Sequence, residues 1–415
     1  MAEGTLIHRG TTGKTFRFVD PSAHCRTTLG EITTVVAGST PSTTVSNYWD
    51  GDIVWVTPAD MGKLQSSVIR DSGRRITESG FDAAGLELVP ANSVVLSTRA
   101  PIGHLALAGI PLCTNQGCKA FVPSPSILGQ YLYYALQVAV PRLKALGTGT
   151  TFMEVSKADL EDFVIPFPPL PIQRRIAGIL DKADRLRRMR RYALELSDQF
   201  LPALFLRMFG DPTRNPKGWP ERPLRRLCTK FSEGPFGSDL KTSHYRSDGV
   251  RVVRLQNIGV GEFLDADKVY ISNEHFSELK RHECTTGDVL IGTLGDPNLR
   301  ACLLPAEIGT ALNKADCEQA RVNPTETTAE YVCWFLNMPQ SLQIVPGLVH
   351  GQTRSRISSG QMAALPVPTP PLSLQKSFSR MVCEYEQLRD SHREVLRQAE
   401  HLFQSLLNRY FGKEN

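Results

Sequence analysis

Two short polar stretches of this chain crowd together hydroxyl, amide and cationic side chains, the mixture that grips phosphates and reads base edges. The first carries Thr40, Ser42, Thr43, Thr44, Ser46 and Asn47, followed by Lys63, Arg70, Arg74, Arg75 and Arg99. The second carries Lys241, Ser243, His244, Tyr245 and Arg246, followed by Arg251, Arg254, Gln256, Asn257, Arg354 and Arg356. Hydroxyl, lysine and arginine groups suit phosphate oxygens, whereas arginine, asparagine and glutamine can make bidentate contacts to bases. Each residue taken singly is an ordinary solvated side chain. As sets on corresponding loops they are candidate contacts to double-stranded DNA. The net charge of +5 and pI near 8.7 permit such a partner without demanding one.

Catalytic signatures are missing where an enzyme would show them. Gly10-Thr11-Thr12-Gly13-Lys14-Thr15 imitates a phosphate-binding loop, but His8 stands where its first glycine belongs and no strong strand precedes it. An amino-methyltransferase would place a polar residue before a Pro-Pro step and an aromatic after it. Here the only such steps are Phe167-Pro168-Pro169-Leu170 and Thr369-Pro370-Pro371-Leu372. Asp267 with Glu278-Leu279-Lys280 has the letters of a magnesium nuclease, yet Ser272–Glu283 reads as a charged helix face. Nine cysteines occur without a CxxC, and Cys113 and Cys118 have no partner cluster, so reduced thiols are expected and no metal site. Met1–Asp20 lacks an apolar core, and the longest apolar stretch, Leu105–Cys113, is far too short to span a bilayer. A cytoplasmic protein with no membrane partner is expected.

The elements that must position the polar loops come from a duplication. Ile165–Gly210 lies over Val367–Gly412 without a gap at an offset of 202, with 13 of 46 positions identical. Pro166, Pro168, Pro169, Leu170 and Gln173 open one copy, and Pro368, Pro370, Pro371, Leu372 and Gln375 open the other. That period is too long for a solenoid repeat and marks a module, a globular half followed by a helix, occurring twice. Apolar residues recur at 4-3 spacing in both copies, which predicts two helices of about 37 residues, ~55 Å each, paired through a coiled-coil seam. The seam and partner-docking positions are Ile176, Ile179, Leu186, Arg190 and Phe200 in one helix, and Phe378, Met381, Leu388, His392 and Leu402 in the other. Arg190 and His392 occupy equivalent positions and either meet in one polar layer or reach solvent. Pro202 should kink the first helix. Its cationic run (Arg185, Arg187, Arg188, Arg190, Arg191 among others) faces phosphates, an acidic partner or water.

Ahead of each helix the pattern turns to short strands and polar turns. Ile53–Val56, Ser93–Leu96 and Leu105–Ala108 read as strands and Leu128–Leu146 as an amphipathic helix. Tyr331–Trp334 answers Tyr131–Tyr134 at an offset of 200, so the halves share a skeleton. Their loops differ: Gly38–Tyr48 is rich in hydroxyls, and Glu233–Tyr245 holds Gly-Pro-Phe-Gly and charges. The expected organisation is an extension (1–24), a first domain (25–165), a first helix (166–212), a second domain (213–366) and a second helix (367–415). The fold class is α+β: two similar α/β domains separated by two long helices in an antiparallel coiled coil.

The two proline-led helices, Gly38–Met61, and Ser97–Gly103 leading to Asn115-Gln116-Gly117 resemble the specificity subunits of type I restriction–modification systems. The resemblance covers the chain from about Cys25. It implies that each half is a target recognition domain reading one part of a bipartite DNA sequence. It also implies that the paired helices set the spacing and dock two adenine methyltransferase subunits, which a restriction subunit joins. S-adenosylmethionine, ATP and Mg²⁺ would then sit on those partners, with no cofactor on this chain and no catalysis by it. A nuclease or methyltransferase acting alone, or a coiled-coil scaffold that binds only protein, are the competing classes. Enzymatic activity of the purified chain would favour the first, and absence of salt-sensitive DNA binding by its complex the second.

Overall fold

The structure is a computed structural model that describes residues 25–149, 153–295, 297–345 and 356–412. The candidate Arg354, the extension 1–24 and the phosphate-loop imitation lie outside the described residues. Five helices organise the chain, numbered here in chain order: α1 Gly129–Ala145, α2 Leu170–Ser197, α3 Phe200–Phe209, α4 Ala329–Asn337 and α5 Leu372–Phe411. The chain forms two compact units, residues 1–193 with 393–415, and residues 194–392. Each unit therefore takes one globular domain, the start of the helix that follows it and the end of the other helix.

In the first unit, the strands Thr33–Ala37, Cys118–Pro123, Val94–Ser97, Leu105–Ala108 and Val68–Ile69 form one sheet in that spatial order. A smaller sheet sets Trp49–Val56 between Arg75–Ile76 and Cys113–Thr114, the last pair parallel. α1 covers the larger sheet, and its Tyr131, Leu132, Ala135, Leu136, Ala139 and Leu143 are buried at helical spacing. The second unit repeats the plan. Cys228–Glu233, Cys317–Val322, Val289–Gly292 and Ala301–Leu303 form one sheet under α4, and Val250–Val253 runs parallel to Thr310–Asn313 in the other.

The proline runs are extended, as their fixed φ requires. Val164–Pro166 pairs antiparallel with Arg26–Thr28, and Pro366–Pro368 with Glu221–Pro223. A buried glutamine then locks each helix entry. Gln173 donates to the carbonyls of Ser126 and Pro168 (3.0 and 2.8 Å) and accepts from the Leu128 amide (2.8 Å). Gln375 donates to the Pro370 carbonyl (2.8 Å) and accepts from Thr327 Oγ1 and the Thr328 amide (2.8 and 3.0 Å). Tyr131 and Tyr331 donate their hydroxyls to the carbonyls of Pro166 and Pro368. Such fully satisfied buried amides orient helix, sheet and proline run together.

Within each unit the helices run antiparallel. Arg187 stacks over Phe403 and Arg191 pairs with Glu400 at 2.6 Å in the first. Asp198 pairs with Arg389 and Phe205 packs on Phe378 in the second. The first helix breaks at Asp198–Gln199, between α2 and α3, because Pro202 offers no N–H to the Asp198 carbonyl and its ring crowds that turn. No partner proline stands in α5, which is continuous for 40 residues.

The register of the pairing corrects the heptad expectation. Ile176 and Phe378 are buried as seam residues, but the second residue of each pair lies four positions on instead of three. Leu180, Leu201, Val382 and Phe403 are buried, whereas Leu186, Phe200, Met381, Leu388 and Leu402 are exposed and Ile179 is half-buried. Both strips are apolar in sequence, so spacing alone could not tell which one its own chain covers. Arg190 reaches solvent and His392 is half-buried with Nδ1 unpartnered among the described residues. Much of the cationic run is structural: Arg187 and Arg188 grip the buried carboxylate of Asp184.

Candidate nucleic-acid interface

Both polar loops begin on the same mount. A Cβ on Gly38 would lie 2.0 Å from the Asn115 carbonyl oxygen, and one on Gly234 would lie 2.1 Å from the Lys314 carbonyl carbon. Only glycine lets each loop lie on the turn that ends the neighbouring strand. From these matched mounts the two loops part company.

In the first unit two indoles pin the loop backbone. Trp55 Nε1 donates to the Ser39 carbonyl (2.9 Å) and Trp49 Nε1 to the Ser42 carbonyl (3.1 Å). Ser42, Thr43, Thr44, Ser46 and Asn47 are exposed, and Thr40 Oγ1 bonds to Gln116. Arg74 lies over the Trp49 ring at 3.6 Å with no carboxylate partner among the described residues. Its neighbour Arg75 is instead paired with Asp71. A guanidinium stacked on an indole keeps its planar fork ordered for a phosphate or base. Lys63 ends the short helix Pro58–Gly62, and no hydrogen bond or ion pair among the described residues joins it to the loop. Arg99 stands beside Glu154 through a backbone bridge. There Lys119, almost fully buried, donates to Glu154 (3.1 Å), Thr98 Oγ1 and the Val155 carbonyl.

In the second unit several candidates prove to be scaffold. Asn257 is fully buried, accepts from the Arg254 amide and donates to the carbonyls of Leu264 and Asp267, each at 2.9 Å. Arg251 is buried against Asp265 at 2.8 Å, and Arg254 is tied to Asp267 at 3.3 Å. Arg246 folds back on the carbonyls of Ser243 and Tyr245, while His244 packs on His275 and accepts from the Lys241 amide. These residues have the letters of base readers, but their bonds tie them to turns and carboxylates of their own domain. Lys241, Ser243 and Gln256 remain exposed. Tyr245 accepts from Lys314 Nζ at 2.8 Å, with Arg254 beside its ring. Arg356 sits between Glu233 and Asp316 and over Phe236. Sequence reasoning missed Trp49, Phe236, Lys314, Glu233 and Asp316; the aromatic residues interleaved with these polar loops were the available signal.

Among the described residues, no hydrogen bond or ion pair joins the candidate nuclease carboxylates to Lys280. Asp267 is engaged by Arg254, and Glu278 pairs with His275 on the short helix Asn273–Glu278. Among the described residues no cluster of His, Cys, Asp and Glu could hold a metal, and no helix is long and apolar enough to cross a membrane. The cysteines are free thiols, and burial pushes those of Cys113, Cys118, Cys228 and Cys302 up to about 12, which leaves them unreactive.

Residues 26–195 match the family model described as the type I restriction modification DNA specificity domain. The chain is 34% identical to the type I restriction enzyme MjaIX specificity subunit of Methanocaldococcus jannaschii over 255 residues, 57% of this chain and 59% of that protein. It is 34% identical to the type I restriction enzyme EcoR124I/EcoR124II specificity subunit of Escherichia coli over 166 residues, 38% of this chain and 40% of that one. The chain thus spans between two fifths and three fifths of the length of these curated relatives. Its fold is like that of the type I restriction–modification S subunit from M. genitalium, with a TM-score of 0.59 at 16% identity, covering 94% of this chain and 96% of the other. The duplicated α+β fold is therefore like that of a type I S subunit, and residues 26–195 are similar to the type I restriction modification DNA specificity domain.

Proposed function

We propose that this chain is the DNA sequence-recognition subunit of a type I restriction–modification complex. Each half reads one component of an asymmetric bipartite target. The observation that carries this reading is the pair of matched glycine mounts bearing unlike loops: one scaffold built twice, presenting different chemistry to the ligand. The exposed strips of the helices fit the docking of protein partners. Leu186, Met189, Tyr192 and Leu402 belong to the first unit, and Leu196, Phe200, Met381 and Leu388 to the second, all large apolar side chains left to solvent. Solvated apolar strips of this kind mark protein contacts, and methyltransferase subunits together with a restriction subunit are the proposed occupants. Methyl transfer from S-adenosylmethionine and ATP- and Mg²⁺-dependent cleavage then belong to those partners.

The test is an exchange of residues 25–165 for the corresponding half of a relative, followed by sequencing of modified adenines in a host carrying the complex. One component of the methylated motif should change and the other should stay. A change in both components, or in neither, would refute separate readout.

A further inference from the structure

The two halves carry an inverted charge pair at one position of the scaffold. Val155 donates its amide to the Thr98 carbonyl, and Ile357 to that of Thr293, and Ser156 and Ser358 cap the short helices that follow. This alignment places Arg356 where the first half has Glu154, and Glu318 where it has Lys119. In the first half the pair closes on itself, Lys119 donating to Glu154 at 3.1 Å from a buried position. In the second half it does not close. Glu318 is 0% exposed, and among the described residues it accepts only from Ser359 Oγ (3.1 Å) and leaves Oε2 without a partner.

Arg356 turns outward instead. Its Nη2 meets Glu233, its Nε meets Asp316 at 3.1 Å, and its guanidinium carbon lies 4.9 Å from the centre of the Phe236 ring. Phe236 is 47% exposed, at the tip of the loop mounted on Gly234. Asp316 holds φ at +66°, a conformation sparsely used by residues with a side chain, to bring its carboxylate there.

We propose that Arg356, held by Glu233 and Asp316 and stacked on Phe236, is a base-reading residue of the second half, directed at a guanine edge in the major groove. The proposal rests on the DNA-recognition reading above. Two carboxylates outweigh the single guanidinium, so a phosphate would meet net negative charge, whereas the neutral O6 and N7 edge of guanine would not. Clamping through Nε and one Nη leaves the other Nη edge for the ligand, and the ring face fixes its plane. That order is what bidentate readout needs. Glu154 at the same position of the first half cannot make this contact, and the stacked arginine there is Arg74 on Trp49.

The test uses the full chain assembled with its methyltransferase subunits and a randomised duplex DNA library. The wild type should select a bipartite motif with a guanine in the component assigned to residues 213–366. Arg356→Ala and Arg356→Lys should both weaken the preference for that one base pair by roughly 5- to 150-fold. The other component and the salt dependence should stay as they were. Phe236→Ala, at an exposed position that folding does not need, should weaken preference at the same base pair. It decides the matter if the Arg356 variants misfold. Unchanged preference, or a uniform loss of affinity with the salt slope reduced by about 0.9, the mark of a phosphate contact, overturns the assignment. A wild type that selects no sequence would instead refute the recognition reading itself.

Discussion

Leu388→Asp separates the two apolar strips of the helices most cleanly. Leu388 is 56% exposed, on the strip that the chain leaves uncovered, whereas Val382, on the covered strip of the same helix, is 2% exposed. An exposed substitution changes stability by about 0.5 kcal/mol or less, and the poorer helix propensity of aspartate adds up to ~0.7 kcal/mol. The isolated Leu388→Asp chain should therefore unfold within a few degrees of the wild type. Val382→Asp, by contrast, buries a charge and should cost several kcal/mol, enough to remove the cooperative transition. In the assembled complex the order changes. Complete burial of a leucine is worth ~1.5–3 kcal/mol, so the half still open at Leu388 offers about 1 kcal/mol to a partner. An aspartate there forfeits that and adds a desolvation cost of ~2 kcal/mol or more. Together these weaken assembly by at least ~3 kcal/mol, more than 100-fold in dissociation constant. Thermal unfolding of the isolated chain and gel filtration of the complex measure the two effects. If Leu388→Asp assembles like the wild type, this strip is not the docking face. If the isolated variant unfolds like Val382→Asp, the strip is the seam after all.

Two further perturbations act on buried polar groups. Gln173→Leu and Gln375→Leu each orphan the carbonyls and amides that the glutamine satisfies, and each should lower stability by about 2–4 kcal/mol, measured by chemical denaturation; a loss below 1 kcal/mol at either site would remove its role as the lock of the helix entry. Burial pushes the Glu318 carboxyl up to about 7 from 4.5. The folded state therefore binds more protons than the unfolded one between these values, and stability falls as pH rises from about 4.5 to 7, by ~3 kcal/mol in all. Glu318→Gln should flatten that part of the pH–stability curve and raise stability above pH 7, and an unchanged curve would show that the carboxylate is accommodated in the fold.

The duplication made the helices legible because proline runs, a buried glutamine and terminal Phe-Gly steps tolerate few substitutes. Gln173 and Gln375 each satisfy three groups, accepting and donating from one planar amide. Strands such as Leu105–Ala108 were readable as short apolar runs between polar turns, and the helix α1 from its periodicity. What periodicity could not supply was a choice between adjacent apolar positions. Leu186, Met381, Leu388 and Leu402 look like seam residues because they are apolar for a different reason, and only the packed structure shows Val382 and Phe403 in the place assigned to them. The polar loops failed in the opposite sense. Asn257, Arg251 and Arg254 share residue types with base-reading side chains, yet three-dimensional neighbours tie Asn257 to three main-chain groups and the two arginines to Asp265 and Asp267.

The inverted pair shows how a duplicated scaffold can carry two different surfaces without losing either fold. Lys119 and Glu318 both sit inside the sheet, at positions whose main-chain partners are fixed by the ladder, and burial there is tolerated in different ways. The lysine is compensated by a carboxylate and two oxygen acceptors, while the glutamate is pushed toward its neutral form. Because neither half asks the other to compensate its charge, each interior can change sign on its own. That freedom releases Arg356 for the surface in one half and keeps Glu154 locked in the other. One unit then presents a hydroxyl fringe with a tryptophan-backed arginine. The other presents a phenylalanine-backed arginine between carboxylates. Unequal surfaces on equal mounts suit the asymmetric target proposed above, since identical surfaces would read the same bases twice.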